Sequence, residues 1–328
     1  MTDKKKIIPI LISSVISVLM VAISEKTGKP DIIFPEIAAI AIGMLAAPVQ
    51  IWNTSKLRLF LTVTASALLG MAVVRFVPFS MYFKIPIGLT AVMILITMSQ
   101  TNFLPAISAC ILPIMNGTQT LAYPLSVVIT TGLILLTQHI LEETGVRSKY
   151  HYVPIEPTKP LIRLRLAQII IVSVMCILPI ALGRPFFIAP PLIVAFAEMT
   201  APASHIKKNI TTATVMIAMS AFLGCSSRLL LSEIAGLPLA LAAAITSFTV
   251  MVAVSKTEFY FAPCGAVGLL PFLIPQHTLI QFPFALSTGF MIFALITVLS
   301  SNHVKHEQEE AAKAKEEEPE HTEAFNHV

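Results

Sequence analysis

The sequence predicts an all-α polytopic membrane protein, a bundle of about 12 transmembrane segments arranged as two homologous halves. Hydrophobic residues make up 55% of the 328 residues, charged residues only 12%, and the mean hydropathy is +0.82. A soluble globular domain has about 25% charged residues, so the composition excludes that class. The apolar residues are also gathered into runs that recur in the second part of the chain, which indicates a repeated architecture.

The apolar runs form two sets of six. They are residues 7–23, 32–50, 59–76, 85–99, 103–115 and 121–141, and then 166–183, 187–202, 209–225, 235–254, 259–275 and 279–299. A helix perpendicular to the membrane needs about 20 residues, and several runs are shorter. Because prolines interrupt them, the runs 103–115 and 259–275 are candidates for broken or re-entrant segments.

This pattern predicts four regions. They are a first membrane repeat (1–141), a cytoplasmic linker (142–165), a second membrane repeat (166–300) and an acidic, disordered cytoplasmic tail (301–328). The linker contains several prolines and mixed charge, so we expect it to be an exposed connection between the halves.

Basic residues select the orientation. If all twelve runs cross and the N-terminus is cytoplasmic, six basic residues lie outside and the other 16 of 22 lie inside. The outer ones are Lys26, Lys29, Arg75, Lys84, Arg184 and Arg228. Versions with ten or eight crossings reduce this bias. We therefore expect twelve crossings, parallel halves, and both termini on the cytoplasmic side of a bacterial inner membrane.

The two halves align at several short matches. Residues 105 and 113 match 263 and 271, all prolines, at a constant offset of 158, and residue pairs 47–48 and 201–202 are both Ala-Pro. Gly70 and Gly224 match at the offset of 154 that also relates the Ala-Pro pairs. In transporters built from two related halves the substrate lies between them near mid-membrane. A structural scaffold could be duplicated in the same way, so duplication alone leaves both classes open.

The proline-interrupted runs are the predicted binding site. If new helices begin inside the membrane at Pro105 and Pro263, their unpaired N–H groups and positive dipole ends could face a common anion. The candidate substrate-binding residues are Thr101, Asn102, Pro105, Ser108, Thr257, Pro263, Cys264 and Gly265. The alternative is a pair of proline-started helices at an interface packed with small residues.

Two acidic residues lie in or beside apolar runs. Charged groups inside a membrane are costly, so they are functional candidates by default. Glu198 lies among apolar neighbours and Glu36 is its approximate counterpart; either could carry a coupling proton because burial favours a protonated carboxyl group. The alternative for Glu198 is an ion pair with His205 or Lys207, and for Glu36 it is an ordinary acidic residue at a helix start.

Other residues favour structural roles. The four cysteines lie in apolar segments without metal-ligand spacing, so we expect no metal, cofactor or disulfide. The single Trp52 is typical of a membrane-interface anchor. The expected partners are the lipid bilayer and a small-molecule or ion substrate, and no feature indicates nucleic acid.

Several segments together resemble the HPP family of integral membrane proteins. The similar stretches are residues 37–70 and 193–224, and the two short runs Phe103–Ala109 and Phe261–Ala266, which resemble the family's His-Pro-Pro-Ala-Gly-Ala signature. The signature His is replaced by Phe103 and Phe261, and its first Pro by Leu104 and Ala262, so any role of that imidazole is absent here. Members are described as single copies with about four spanning helices, which implies that this chain is a tandem version. A plant plastid member is associated with nitrite transport.

Together these features predict a transporter, not an enzyme. We expect a small solute, with an anion such as nitrite or a small organic acid as the candidate class, to move between the halves in a proton-coupled process. A scaffold or sensor that binds a partner through the acidic tail is the alternative. A membrane-embedded lipid-modifying enzyme is a weaker one, because no paired acids or metal ligands are gathered on one aqueous face.

Overall fold

The computed structural model describes the backbone of residues 3–202 and 204–316, and the side chains of residues 7–202 and 204–300. The described chain is helical and contains no β-strand. Its α-helices are α1 (Asp3–Thr27), α2 (Glu36–Ala41), α3 (Lys56–Phe76), α4 (Met81–Met98), α5 (Pro105–Asn116), α6 (Ala122–Glu143), α7 (Lys159–Ala181), α8 (Pro190–Met199), α9 (His205–Lys208), α10 (Ile210–Ser227), α11 (Leu239–Thr257), α12 (Pro263–Leu269) and α13 (Phe282–Glu316). Two of them continue as π-helical turns, α2 through Ile42–Ala46 and α10 through Arg228–Ile234.

Eight helices of the described chain are long and apolar enough to cross a membrane. They are α1, α3, α4, α6, α7, α10, α11 and α13, and they expose large aliphatic side chains over much of their outer faces. An exposed surface of this kind is stable in lipid and unstable in water. The structure therefore fits a membrane-embedded helical bundle.

Four further helices, α2, α5, α8 and α12, are too short to span a bilayer as straight helices. The sequence predicts two shortened segments, at 103–115 and 259–275, and the structure has two more, in the runs 32–50 and 187–202. Prolines explain the difference, since Pro35 precedes α2 and Pro190 begins α8, and each lies inside an otherwise apolar run. Apolar composition alone does not reveal where such a run stops being helical.

The connection between α6 and α7 marks one end of the bundle, called here the linker end, and the opposite end is called the far end. Asp31, just before α2, accepts hydrogen bonds from Thr118 at 3.0 Å and Thr120 at 2.7 Å, just after α5. At the linker end Arg147 donates to the carbonyls of Leu45 and Ala47, where α2 finishes. The short helix α2 therefore runs from the far end towards the linker end, and α5 runs in the opposite direction.

The linker is shorter and more firmly attached than the sequence predicts. Helix α7 begins at Lys159 instead of residue 166, because Thr158 caps it and charged residues occupy its first turns. The remaining linker is not simply exposed. Ile155 N–H and Tyr152 O–H donate to the Gln100 carbonyl at 2.9 and 3.0 Å, and the carbonyl of Val153 accepts from Asn53.

The acidic tail lies only partly within the described residues. Helix α13 continues to Glu316, so the first part of the predicted disordered segment 301–328 has a helical backbone. Residues 317–328 lie outside the described residues.

Candidate functional site

The four short helices form a cluster at the centre of the bundle. Helix α2 packs against α5 and α12, and α8 packs against the same two helices. Every residue of α2, α8 and α12 is buried, as are residues 105–114 of α5. This cluster, called here the central cluster, joins the first half of the chain to the second, because its larger contacts are those of α2 with α12 and of α5 with α8.

Small residues permit this close packing. A Cβ atom on Gly265 of α12 would lie 2.7 Å from the backbone carbon of Ala38 in α2, so only glycine fits there. Prolines begin α5, α8 and α12, where the missing N–H costs no intrahelical hydrogen bond. The sequence thus builds short, closely approaching helices in which backbone carbonyl groups at the ends need partners from elsewhere.

Two arginines provide such partners. Arg147 donates from Nη1 to the carbonyls of Leu45 at 2.9 Å and Ala47 at 2.5 Å, after the end of α2. Arg228 donates from Nη1 to Pro271 and Ile274 carbonyls at 2.5 and 2.6 Å, after the end of α12. A cation is favourable at the negative end of a helix dipole.

Arg147 lies in the linker, outside the membrane-spanning helices. Burial lowers the pKa of its guanidinium to about 10, while the nearby Glu142 acts in the opposite direction. The guanidinium therefore stays charged at neutral pH.

Glu36 is the first residue of α2 and is 1% exposed. Its Oε1 accepts a short hydrogen bond from the hydroxyl of Ser108 in α5. Its other oxygen, Oε2, is buried and has no hydrogen-bond partner among the described residues. A buried ionised oxygen without a partner is costly, so the geometry suits a carboxyl group that binds a proton or a further ligand.

Glu198 lies near the end of α8 and is 8% exposed. Its Oε1 accepts a hydrogen bond from the indole Nε1–H of Trp52 at 3.0 Å, which links the two halves of the chain. The predicted alternative, an ion pair with His205 or Lys207, is absent from the described residues. The indole is the actual partner.

Trp52 is not a membrane-interface anchor. Its side chain is 2% exposed, and its ring packs edge-on against Phe103 with centroids 5.2 Å apart. A Cβ atom on Gly43 would lie 2.3 Å from the ring, so the glycine in the π-helical turn after α2 makes space for it. The prediction from sequence was wrong because aromatic residues near a membrane boundary can equally well turn inward.

A buried polar network holds the loop that carries Trp52. Gln50 Nε2 donates to the carbonyls of Trp52 and Thr54, both at 2.7 Å. Gln138 in turn donates to Gln50 Oε1 at 3.1 Å and to Glu142 Oε1 at 2.8 Å. The sequence analysis did not identify these glutamines. The one feature that could have indicated their role is that each is a polar residue inside or beside an apolar run.

The two carboxyl groups lie towards opposite ends of the central cluster. Glu36 is the first residue of α2, on the far-end side. Glu198 contacts Trp52, whose ring packs against Gly43, and Gly43 comes seven residues after Glu36 in the chain. Seven helical residues span about 10 Å. The two are therefore not counterparts in the structure: at the offset of 154, Glu36 matches Pro190 and Glu198 matches Met44.

The helices do begin at Pro105 and Pro263, as the sequence predicts, but their first amides are not free for an anion. Ile107 N–H bonds to the Leu104 carbonyl at 2.9 Å, and Gly265 N–H bonds to the Ala262 carbonyl at 3.0 Å. In addition, α5 and α12 are not a packed pair, since each contacts α2 and α8 instead. The two helix starts therefore do not pack directly against each other.

The remaining predicted binding residues are likewise dispersed. Thr101 is buried before α5 and its carbonyl accepts from Arg165, whereas Asn102 is exposed and its Oδ1 accepts from the Asn53 amide. Thr257 is exposed and donates to carbonyls of its own helix, and Cys264 is buried beside Ser220. Of the eight predicted residues, Ser108 donates a hydrogen bond to Glu36, and Cys264 lies close enough to Glu198 to interact with it electrostatically.

Five cavities lie on the surface and at the ends of the bundle. They range from 230 to 470 Å³, and none of the five is lined by Glu36 or Glu198. Both carboxyl groups are nevertheless buried, Glu36 being 1% and Glu198 8% exposed, so solvent reaches them only if the short helices or the Trp52 loop move.

The fold and this site define a class: a helical membrane protein whose centre is a cluster of short buried helices with two carboxyl groups. No protein-family model, curated protein or solved structure matches the chain.

Proposed function

We propose that the protein is a proton-coupled transporter of a small solute, in which the central cluster forms the closed pathway and Glu36 and Glu198 exchange protons. One observation carries this proposal: two carboxyl groups are buried in the centre of an otherwise apolar bundle, at different depths. Such groups are costly inside a membrane and are typical of proton and ion pathways. Burial favours their protonated form, which makes proton exchange possible.

All twelve membrane segments cross the bilayer in this proposal, including the four short ones. Helix α2 leaves the far end near Asp31 and finishes beside Arg147 at the linker end. Helix α8 follows Phe187, which contacts Gly289 near the start of α13, and finishes where Gln168 of α7 donates to the Ala197 carbonyl. Loops and short 3₁₀- or π-helical turns beside the short helices complete the crossing, which is tolerated where protein surrounds them.

The two halves are proposed to be repeats. The support is a contact that recurs at matched positions: a Cβ atom on Gly70 of α3 would lie 2.2 Å from the carbonyl oxygen of Cys110 in α5. On Gly224 of α10 it would lie 2.3 Å from the carbonyl oxygen of Gly268 in α12. Each half also contains four long helices, the number that the resemblance to the HPP family implies, and we propose that family membership on this basis.

The linker end is proposed to face the cytoplasm of a bacterial cell. Basic residues concentrate there, as the positive-inside rule requires for a cytoplasmic surface. They include Lys56, Arg58, Lys149, Arg163 and Lys256, whereas the far end contains Lys26, Lys29, Arg75, Lys84, Arg184 and Arg228.

The substrate class has less support than the coupling. The two helix starts that suggested an anion site have their amides bonded within the chain, so they no longer favour an anion. An inorganic anion such as nitrite, or a small organic acid, stays the candidate class through the family resemblance alone. The transport test therefore uses both types of solute.

The experiment is uptake by purified full-length protein in proteoliposomes that contain a pH-sensitive dye. Inward gradients of nitrite or succinate are applied with and without a pH gradient. We expect solute-dependent internal acidification in the wild type, and a decrease of more than about tenfold in Glu198→Gln and Glu36→Gln.

Glu156→Gln is the matched control, because Glu156 is an exposed carboxylate in the linker. It should retain wild-type flux. Equal flux in liposomes with and without the protein for both solutes would remove the proposal, and so would wild-type coupling in both buried variants.

A further inference from the structure

A groove of about 230 Å³ opens on the outer surface between α4 and α7. Its walls are almost entirely apolar and come from one helix of each half; they are Thr90, Met93, Ile94, Thr97, Met98, Ile162, Arg165, Leu166 and Ile169. Helix α7 is the least covered of the eight long helices, so this groove faces the lipid. Arg165 is the one charged residue in its wall.

Arg165 is buried without a counter-ion. The residue is only 7% exposed, and no described carboxylate forms an ion pair with its guanidinium. Its Nη1 and Nη2 donate to the carbonyls of Met93 at 3.4 Å and Thr101 at 3.3 Å, both long hydrogen bonds, and Nε has no partner among the described residues. Burying an unneutralised charge is costly, so an anion beside this group would stabilise the structure.

Arg165 lies in the first two turns of α7, at the linker end of this helix. It lies six residues into α7, about 9 Å along the helix from Lys159. Lys159 and Arg163 are exposed on the first turns of the same helix and add positive charge at the membrane surface. Apolar walls below a basic mouth complement a molecule with a hydrocarbon chain and a negative head.

We propose that this groove is a binding site for an anionic glycerophospholipid of the linker-end leaflet. One acyl chain lies along the apolar walls between α4 and α7, and the phosphate neutralises the Arg165 guanidinium from the side on which this residue lines the groove. Basic sites between transmembrane helices are known to bind anionic headgroups in this way. Because α4 and α7 belong to different halves, the lipid joins the halves at this seam.

The two halves also meet between α1 and α11, and this second contact shows why a ligand is needed only between α4 and α7. Between α1 and α11 the helices pack directly, and the Ser14 hydroxyl donates to the Met251 sulfur at 3.7 Å. Met251 and Met93 match at the offset of 158, so the two seams are related positions. Only the α4–α7 seam combines a groove with a buried guanidinium.

The test is native mass spectrometry of the full-length protein in detergent with equal concentrations of phosphatidylglycerol and phosphatidylcholine. We expect the wild type to retain phosphatidylglycerol preferentially and Arg165→Gln to lower that preference about tenfold, the value of one charge-assisted hydrogen bond. Arg184→Gln is the matched control, since it removes an exposed arginine just beyond the other end of α7 and should leave the preference unchanged.

A second variant covers the possibility that Arg165→Gln does not fold. Thr90→Phe fills the groove from α4 and leaves the hydrogen bonds of Arg165 in place, so we expect it to reduce phosphatidylglycerol retention as well. Equal retention of both lipids by the wild type would overturn the proposal, as would an equal decrease in Arg184→Gln. If inorganic phosphate displaces phosphatidylglycerol, the site binds a soluble oxyanion and the lipid assignment is wrong.

Discussion

The first and second halves of the chain share one close glycine contact but place their carboxyl groups differently. The contact of Gly70 with α5 is repeated by Gly224 with α12. By contrast, Glu36 begins a short helix in the first half, and Glu198 is near the end of one in the second. The glycine contact is therefore shared by the two proposed repeats, and the placement of the carboxyl groups is not.

The same asymmetry extends to the arginines at the ends of the short helices. Arg147 holds the end of α2 at the linker end, and Arg228 holds the end of α12 at the far end. Each arginine therefore donates to carbonyl groups at a different end of the central cluster. The comparison therefore makes separate predictions for the shared contacts and for the unshared ones.

The largest effect on stability is expected from Arg147→Met. This change leaves the buried carbonyls of Leu45 and Ala47 without a donor, at a cost of roughly 2–5 kcal/mol. Thermal or denaturant unfolding in detergent would measure it. Lys149→Met is the control, because Lys149 is exposed and pairs only with the exposed Glu143. A loss no larger than that of the control would show that Arg147 does not secure α2.

A smaller and equal effect is expected from Gly70→Ala and Gly224→Ala. Each new Cβ would lie within 2.3 Å of a backbone carbonyl oxygen that cannot move independently, so each should destabilise by about 1–3 kcal/mol. Gly132→Ala is the control, since its nearest neighbour is a Phe60 ring atom at 4.0 Å. The same unfolding assay applies. Unequal losses from the two glycines would contradict the proposed repeat.

The smallest effect is expected from the pair that the halves do not share. A double-mutant cycle of Trp52→Phe and Glu198→Gln removes the indole donor and changes its acceptor, and we expect a coupling energy of about 1–2 kcal/mol. Strictly additive losses would mean that the hydrogen bond contributes nothing to joining the halves.

The sequence predicted the all-helical membrane class and the starts of α5 and α12, because apolar runs and proline positions act locally. It did not predict that α2 and α8 are equally short, since their prolines lie inside continuous apolar runs. Gly265 was predicted to bind substrate, and in the structure the group that approaches it is the backbone of Ala38. No local pattern could specify that partner, which lies in the other half of the chain.

The site was predicted less well than the fold. Glu36 and Glu198 were found because charge inside an apolar run is conspicuous. Their partners Ser108 and Trp52 depend on tertiary packing, and Trp52 was assigned to the membrane surface although it is buried. The amides that follow Pro105 and Pro263 were expected to be free, but they donate to the carbonyl groups just before those prolines.

The central claim is that the two buried carboxyl groups hold exchangeable protons. Infrared difference spectroscopy of the reconstituted protein, recorded between acidic and alkaline buffer, measures this directly. The account predicts carboxylic-acid bands in the wild type, one of which disappears in Glu36→Gln and another in Glu198→Gln, while Glu156→Gln retains both. A wild-type spectrum identical to that of the Glu36→Gln/Glu198→Gln double variant would contradict it.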